Sequence, residues 1–536
     1  MEATALPSHL GVRERWLTAG LLGIGLITFA ISASVTNLIL PKIMTSLQVE
    51  LYQIHWVLTA FGIARTIIIP ALGWLSGWLG PRNLYLLCMA TFSVGSLGSA
   101  LAWDWASLMF FRALMGIGGG LLQPLSMAIF YQIFPPQQRG MALGLSLIGW
   151  SIGPSLGALM GGYVLEFASW RATFAIILPL AGVGMLLAWW FLPALRRPER
   201  RRLDFYGLLT MATAVTSLLL ALSQGNREGW DSQYILTLFA ICAAAGLIFV
   251  MIELRHPEPL MELRLFGVTP FLMATIVLFL STMAFRGAGP MLNVFMQRAL
   301  GFVPLLVAWT LVPVNIAYGV TVLAVGPLSD RFSPRYLVLV GLVLYAVIFF
   351  VYAGINELTT VGMMITLMTF RFIGEGLVGS PNNLTALRAL NEQQIMMAAG
   401  VMGLLRSIAG TLGPAMSAVF WDQRYGRHIQ HYAENTPEDA LGLTTAISSM
   451  QHLLTWTGEI AVQISTKTMA LLHQRLLAEA STAAWQDYLL SNTVLALLCI
   501  GPALLATGRT RRSYASTAQQ GTSTTQKATP KTSSTQ

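Results

Sequence analysis

GWSIGPSLGALMGG, residues 149–162, is the stretch on which the reading of this chain turns. Gly149, Gly153, Gly157 and Gly161 recur every fourth residue and so stack on one helix face; Pro154 stands inside the run and Gly162 ends it. A face without side chains lets a second helix approach closely, which is how membrane spans pack where lipid removes the hydrophobic drive. Apolar segments of about 17–25 residues, the length that crosses a bilayer, lie on both sides. A glycine-grooved helix in such a chain predicts a transporter whose helices slide or rock.

Composition points the same way. Of 536 residues, 55% are hydrophobic and 10% charged, with a mean hydropathy of +0.64. A soluble domain carries about a quarter charged residues, so the solvent here is lipid. The net charge of +9 does not signal nucleic acid, because most basic residues sit in short connections, where they set orientation. Cys88, Cys242 and Cys499 fall within apolar stretches and imply no disulfide framework. The polar opening to Trp16 followed by a full-length apolar stretch reads as no cleavable signal peptide.

Apolar windows place spans near 17–40, 53–76, 83–103, 106–133, 141–165, 172–193, 206–222 and 234–253. Six more fall near 268–288, 303–325, 336–354, 358–382, 395–419 and 487–507, making fourteen. Arg13 and Arg15 precede the first span. Arg82, Arg139, the cluster Arg196, Arg197, Arg200, Arg201 and Arg202, then Arg255, Arg264, Arg331, Arg335 and Arg388 fill every second connection. Arg509, Arg511 and Arg512 follow the last span, while Asp104, Glu166, Asp231 and Glu357 mark the alternate connections. The positive-inside rule then puts both termini in the cytoplasm.

Two halves repeat. Gly73 to Arg82 after the second span matches Gly326 to Arg335 after the tenth, sharing Gly, Leu, Ser, Pro and Arg in register. Arg112 in the fourth span matches Arg371 in the twelfth, each after a Phe, and Gly153-Pro154 matches Gly413-Pro414. The offsets, about 253 to 260 residues, span eight helices. Two six-helix bundles with two inserted helices explain that number, and a transporter built this way holds its substrate between the halves. The organisation is a segment 1–16, a bundle 17–193, a linker 194–267 with two inserted spans, and a second bundle 268–508. A long outer connection at 422–484 interrupts the second bundle, and the Ser/Thr/Gln-rich tail 509–536 reads as disordered.

A charged side chain at mid-span costs roughly 2.5–3.5 kcal/mol, so each needs a reason. Arg65, Arg112, Arg371 and Arg406 lie inside apolar stretches, Arg286 lies near the end of the ninth, and Glu375 is the acid placed inside one. Arg371 and Glu375, four apart, share a helix face and can pair. The plain alternative is that these arginines cap carbonyls or snorkel to the interface. Glu375 is the candidate proton carrier, since low dielectric favours its neutral form and a nearby Arg its charged form. The excess of base over acid also fits an anionic or zwitterionic cargo. Met residues, 25 in all, can line a pliable pocket or simply pack.

The chain resembles the major facilitator superfamily, and within it the fourteen-span drug:proton antiporter branch. Residues 149–162 resemble the antiporter motif of the fifth span; NLILP at 37–41 is similar to the end of the first-span motif. LDFYG at 203–207, GNREGW at 225–230, SWR at 169–171 and RSIAG at 406–410 also fit, over about residues 17–508. The resemblance implies an all-α integral membrane fold and secondary export without cofactor or metal. The candidate substrate and proton pathway is Arg112, Glu375, Arg65, Arg371 and Arg406, of which Arg112 and Arg406 also fit the family pattern. The resemblance also implies gating motifs at Gly73, Arg82, Gly149, Gly153, Pro154, Gly157, Gly161, Gly162, Gly326, Asp330, Arg331 and Arg335. For Arg112 it implies a place in the transport chamber. Two positions depart from the pattern: Ser32 stands where the branch carries Asp, and Gly77 and Trp78 replace the Asp and Arg that Asp330 and Arg331 keep in the second copy. In the family that acid latches the halves together.

Other classes fare worse. No GxxxxGK[ST] phosphate loop supports an ATP-driven pump, and no HExxH supports a metalloenzyme. GWSIG at 149–153 matches the hydrolase GxSxG pattern only formally, since it lies mid-span with no strand before it. The expected function is export of drugs or metabolites from the cell inner membrane, small molecule against proton. Beside it stand an exporter of an anionic, siderophore-like compound and a transport-dead sensor or scaffold. In a cell with two membranes the resemblance further implies a periplasmic adaptor and an outer-membrane channel, touching 422–484.

Overall fold

The computed structural model describes residues 11–49, 56–193, 204–298, 300–356, 359–434, 448–449, 451–452 and 461–506. The start of the N-terminal segment, the arginines at 196–202, Glu357, the middle of the 422–484 connection and the tail from 509 lie outside them.

Helices follow the apolar windows. The first half holds α1 (Val12–Leu47), α2 (Trp56–Ile68), α3 (Leu72–Leu79), α4 (Pro81–Ala100) and α5 (Trp105–Ile133). It closes with α6 (Arg139–Leu145), α7 (Ile148–Phe167), α8 (Trp170–Ala175) and α9 (Ile177–Phe191). The inserted pair is α10 (Phe205–Glu228) and α11 (Gln233–Arg255). The second half runs α12 (Thr269–Arg298), α13 (Pro304–Arg331), α14 (Pro334–Tyr352), α15 (Val361–Arg388), α16 (Ile395–Glu434), α17 (Ala461–Leu498) and α18 (Ile500–Leu505). Among the described residues twelve helical stretches are long and apolar enough to cross a membrane. With α4 and the α6–α7 pair they occupy the fourteen places read from the sequence. Wide apolar faces remain exposed, as at Trp190, Leu247 and Phe350, which lipid covers and water would not.

Polar residues mark where helices begin. Asp104 caps α5, accepting the Ser107 N–H at 2.8 Å while Ser107 Oγ accepts the Asp104 N–H at 3.1 Å, a reciprocal capping box. The backbone and hydroxyl hydrogen bonds of Ser107 hold the Asp104 carboxyl below its ordinary range. Ser232 and Thr360 cap α11 and α15 in one direction, their hydroxyls accepting the N–H of Ile235 and Met363. Pro124, Pro154, Pro313, Pro381 and Pro414 all sit inside long helices, tolerated because neighbouring helices supply hydrogen bonds that the ring removes. At one of them a neighbouring helix also ties in, Ser34 Oγ of α1 donating to the Pro154 carbonyl at 3.0 Å.

Pairing repeats across the halves. In the first, α1 lies on α7, α2 on α5 and α4 on α5; in the second, α12 lies on α16, α13 on α15 and α14 on α15. The halves meet where α13 packs on α6 and α7 and where α16 packs on α2 and α5. The inserted α10 pairs with α11 and touches α2 of one half and α16 of the other. Helix also persists past the apolar windows into the 422–484 stretch, to Glu434 and again from Ala461. Asp487 holds the extensions together, 3.0 Å from His428 Nε2 and 3.6 Å from Arg424.

Candidate functional site

Between the halves lies a cavity of about 440 Å³. The first half contributes mainly small or apolar wall from α1 and α7, with Ser34 and Gln123 as its polar groups. The second half supplies the charge: Arg286 on α12, Glu375 on α15 and Arg406 on α16, with Asn315, Tyr318 and Asn382 beside them. Glu375 accepts a hydrogen bond from the Tyr345 hydroxyl on α14. Aromatic rings crowd that carboxyl, Phe285 lying 4.9 Å from Phe372 and Tyr318 5.6 Å from Phe372. Arg406 donates to Asn383 Oδ1 at 3.0 Å, which anchors the guanidinium.

Of the five expected pathway residues, Glu375 and Arg406 line this cavity, and three stand behind its wall. Arg112 is the most deeply enclosed of the three. It is 1% exposed, donates from Nε to the Val57 carbonyl at 3.1 Å and lies over Phe61 at 4.6 Å. Its charge is therefore spent on one carbonyl near the start of α2 and an aromatic face, the capping alternative. Arg371 does likewise on another neighbour, donating to the Phe285 carbonyl at 2.8 Å and stacking on that ring at 4.3 Å. Arg371 and Glu375 share a helix but form no ion pair, because Tyr345 takes the carboxylate and α12 takes the guanidinium. Arg65 stacks over Phe29 at 5.1 Å, within electrostatic range of Arg286 and Arg406. Sequence reasoning missed Tyr345 and Tyr318; the one signal was that a phenol in an apolar span needs a hydrogen-bond partner.

The glycine run packs α7 on α1. Side chains added at Gly149 and Gly157 would meet backbone, at 2.9 Å from the Leu26 carbonyl carbon and 2.8 Å from the Ile31 oxygen, and one at Gly153 would strike Ala30. Gly161 is buried, whereas Gly162 faces open space.

The halves close at the end where Arg82, Arg139, Arg335 and Arg388 gather, the basic end. Asp330 at the end of α13 accepts the N–H of Gly140 at 2.7 Å and of Met141 at 2.9 Å, two charge-assisted bonds into the first turn of α6. Arg388 stands 3.5 Å from the same carboxylate, Arg139 stands 3.8 Å from Glu392, and Ser380 donates to the Gly140 carbonyl at 3.2 Å. Gly326 is needed for this approach, since a Cβ there would lie 2.9 Å from Met141 Cα. The first copy of the motif makes a looser joint: a Cβ on Gly73 would lie 3.7 Å from Met397 of α16, ordinary contact distance. No carboxylate bridges it, because Gly77 stands in that place. Arg82 serves its own half, donating to the Trp189 carbonyl at the end of α9. Arg331 is exposed, and Arg335 sits at the start of α14. No cluster of three or more potential metal ligands occurs among the described residues.

Two pseudo-symmetric bundles around a charged central cavity match what comparison finds. The sequence profile of the Major Facilitator Superfamily matches residues 22–414. The chain belongs to the major facilitator superfamily. This facilitator is 27% identical over 425 residues to the multidrug export protein EmrB of Escherichia coli (strain K12), covering 77% of this chain and 82% of EmrB. It is 26% identical over 439 residues to the multidrug transporter protein MdtP of Bacillus subtilis (strain 168), covering 81% of each. YhcA, an uncharacterized MFS-type transporter of the same Bacillus strain, is 26% identical over 412 residues and 77% of each chain. Among solved structures, the human organic anion transporter MFSD10 (TETRAN) superposes with a TM-score of 0.59 over 90% of this chain and 99% of its own, at 15% identity, a likeness of fold. The facilitator is thus a multi-pass membrane transporter and not an enzyme.

Proposed function

We propose that this facilitator is a secondary active exporter of small organic compounds, exchanging them for protons across the inner membrane with both termini in the cytoplasm. The observation that carries the reading is Glu375 and Arg406 together in a cavity walled by both halves. Glu375 takes a proton from the outer side and gives it up when cargo arrives. Asp330 holds the cytoplasmic end shut during the outward phase and releases as the halves rock. The multidrug export named for EmrB supports export over uptake. Where an outer membrane exists, the helical extensions at 422–434 and 461–484 are where an adaptor would seat.

The charge balance favours cargo with a negative group. Arg286 and Arg406 line the cavity against one carboxyl, with Arg65 close behind. A guanidinium about 6 Å from a bound carboxylate contributes roughly 2–3 kcal/mol at an effective dielectric near 20.

Transport in everted vesicles under an imposed pH gradient tests both statements. Gradient-driven accumulation is expected in the native protein and lost in Glu375→Gln. Arg406→Gln is expected to raise KM for an anionic dye by about tenfold or more while sparing a lipophilic cation. Accumulation that survives Glu375→Gln unchanged rejects the proton role, and absence of any accumulation points to a sensor instead.

A further inference from the structure

At the basic end, away from the cavity, two carboxyl groups converge without a compensating base among the described residues. Asp204 caps α10 and is 2% exposed; Glu253 lies in the last turn of α11 and is 4% exposed. Each uses one oxygen to accept a backbone N–H, Asp204 Oδ1 from Gly207 at 2.8 Å and Glu253 Oε2 from Met261 at 3.3 Å. The other oxygens, Asp204 Oδ2 and Glu253 Oε1, are buried without a hydrogen-bond partner. They face the same point: a Cβ on Gly207 would collide with Asp204 Oδ2 and lie 3.0 Å from Glu253 Oε1.

Among the described residues no base compensates them. Arg255 and Arg264 are exposed, and His256 Nδ1 is engaged by the backbone of Glu258, 2.9 Å from its oxygen and 3.2 Å from its nitrogen. Glu258 and Glu262 add only further acid, and α2 and α16, which pack along α10, send neither hydrogen bond nor ion pair to the two carboxyls. A like charge close by disfavours ionisation of a dehydrated carboxyl, and each orphaned oxygen carries a desolvation cost until a donor reaches it.

We propose that Asp204 and Glu253 hold one proton between them, a protonation site at the seam of the inserted helix pair and separate from Glu375. The neutral member donates through one orphaned oxygen to the other, leaving a single negative charge that the two backbone N–H groups face. The site has a mechanical reach. Glu253 grips the connection 256–268 at Met261, and the next residue, Glu262, donates its N–H to Met397 Sδ at 3.2 Å. Met397 is the residue packed on Gly73, at the copy of the latch that lacks its acid. Loss of the proton as pH rises puts two like charges in the seam and loosens that support.

The test uses the full-length protein in nanodiscs, with thermal unfolding followed from mildly acidic to mildly alkaline pH and infrared detection of protonated carboxyl groups. The native protein and Glu375→Gln are expected to lose several degrees of Tm on alkalinisation, and both Asp204→Asn and Glu253→Gln to flatten that loss. Asn still caps a helix, and either variant alone suffices should the other fail to fold. The infrared carbonyl band of a buried neutral carboxyl is expected at neutral pH in Glu375→Gln and is expected to be absent when Asp204→Asn or Glu253→Gln is combined with Glu375→Gln. A band missing from Glu375→Gln, or surviving in the combined variants, overturns the proposal. So does a Tm that responds to sodium or potassium at fixed pH and not to pH itself, which assigns a metal cation to the pair.

Discussion

Arg371 and Glu375 stand one turn apart and yet face different partners, a carbonyl on α12 and a phenol on α14. Hydropathy reveals such residues because insertion penalises them. It does not reveal which way they point, since that depends on how neighbouring helices rotate against the span. Arg112 makes the case: its repeat partner Arg371 also takes a carbonyl, but on a different helix of its own half. Arg112→Lys is therefore expected to act on folding. It loses the fixed fork that reaches Val57 and stacks on Phe61, at a cost on the order of 1–3 kcal/mol, with KM for transported dyes unchanged. A rise in KM without loss of Tm would return Arg112 to the chamber. Asp330→Asn keeps one of two amide contacts and is expected to weaken closure by roughly 1.5–3 kcal/mol.

Among elements, the glycine pattern was the most legible feature, because a spacing of four has one geometric meaning on a helix. Its end was not legible. Gly162 continues the run in sequence but faces open space, while Gly153 is sealed against Ala30 of α1. Gly153→Leu is expected to cost at least the roughly 1–3 kcal/mol typical of overpacking and to reduce expression, whereas Gly162→Ala is expected to leave thermal unfolding unchanged. The two latch copies part in the same way. Gly326→Ala has no room beside Met141, and Gly73→Ala has ordinary contact distance to Met397, so transport is expected to fall severalfold in the first and little in the second. Equal losses would show that the two joints carry equal load. The inserted pair was recognisable only by counting; the convergence of Asp204 on Glu253 needed α10 and α11 to be folded side by side.

At the scale of the whole molecule, duplication explains the architecture and its erosion explains the division of labour. The second half keeps Asp330 at the joint and supplies Arg286, Glu375 and Arg406 to the cavity. The first half supplies glycine-packed wall. Repeated motifs made the duplication readable, whereas the asymmetry of the chamber was not, because cavity lining depends on which helices of each bundle meet. The central claim is that the halves alternate around this cavity with Asp330 holding the basic end closed. A cysteine placed at Thr282, in the cavity wall, tests it when labelled with a membrane-impermeant maleimide from each side, the native cysteines having been replaced. Labelling from the cytoplasmic side is expected to be slow with Asp330 intact and about tenfold or more faster in Asp330→Asn, following the lost closure energy. Equal cytoplasmic labelling in both proteins would contradict the account.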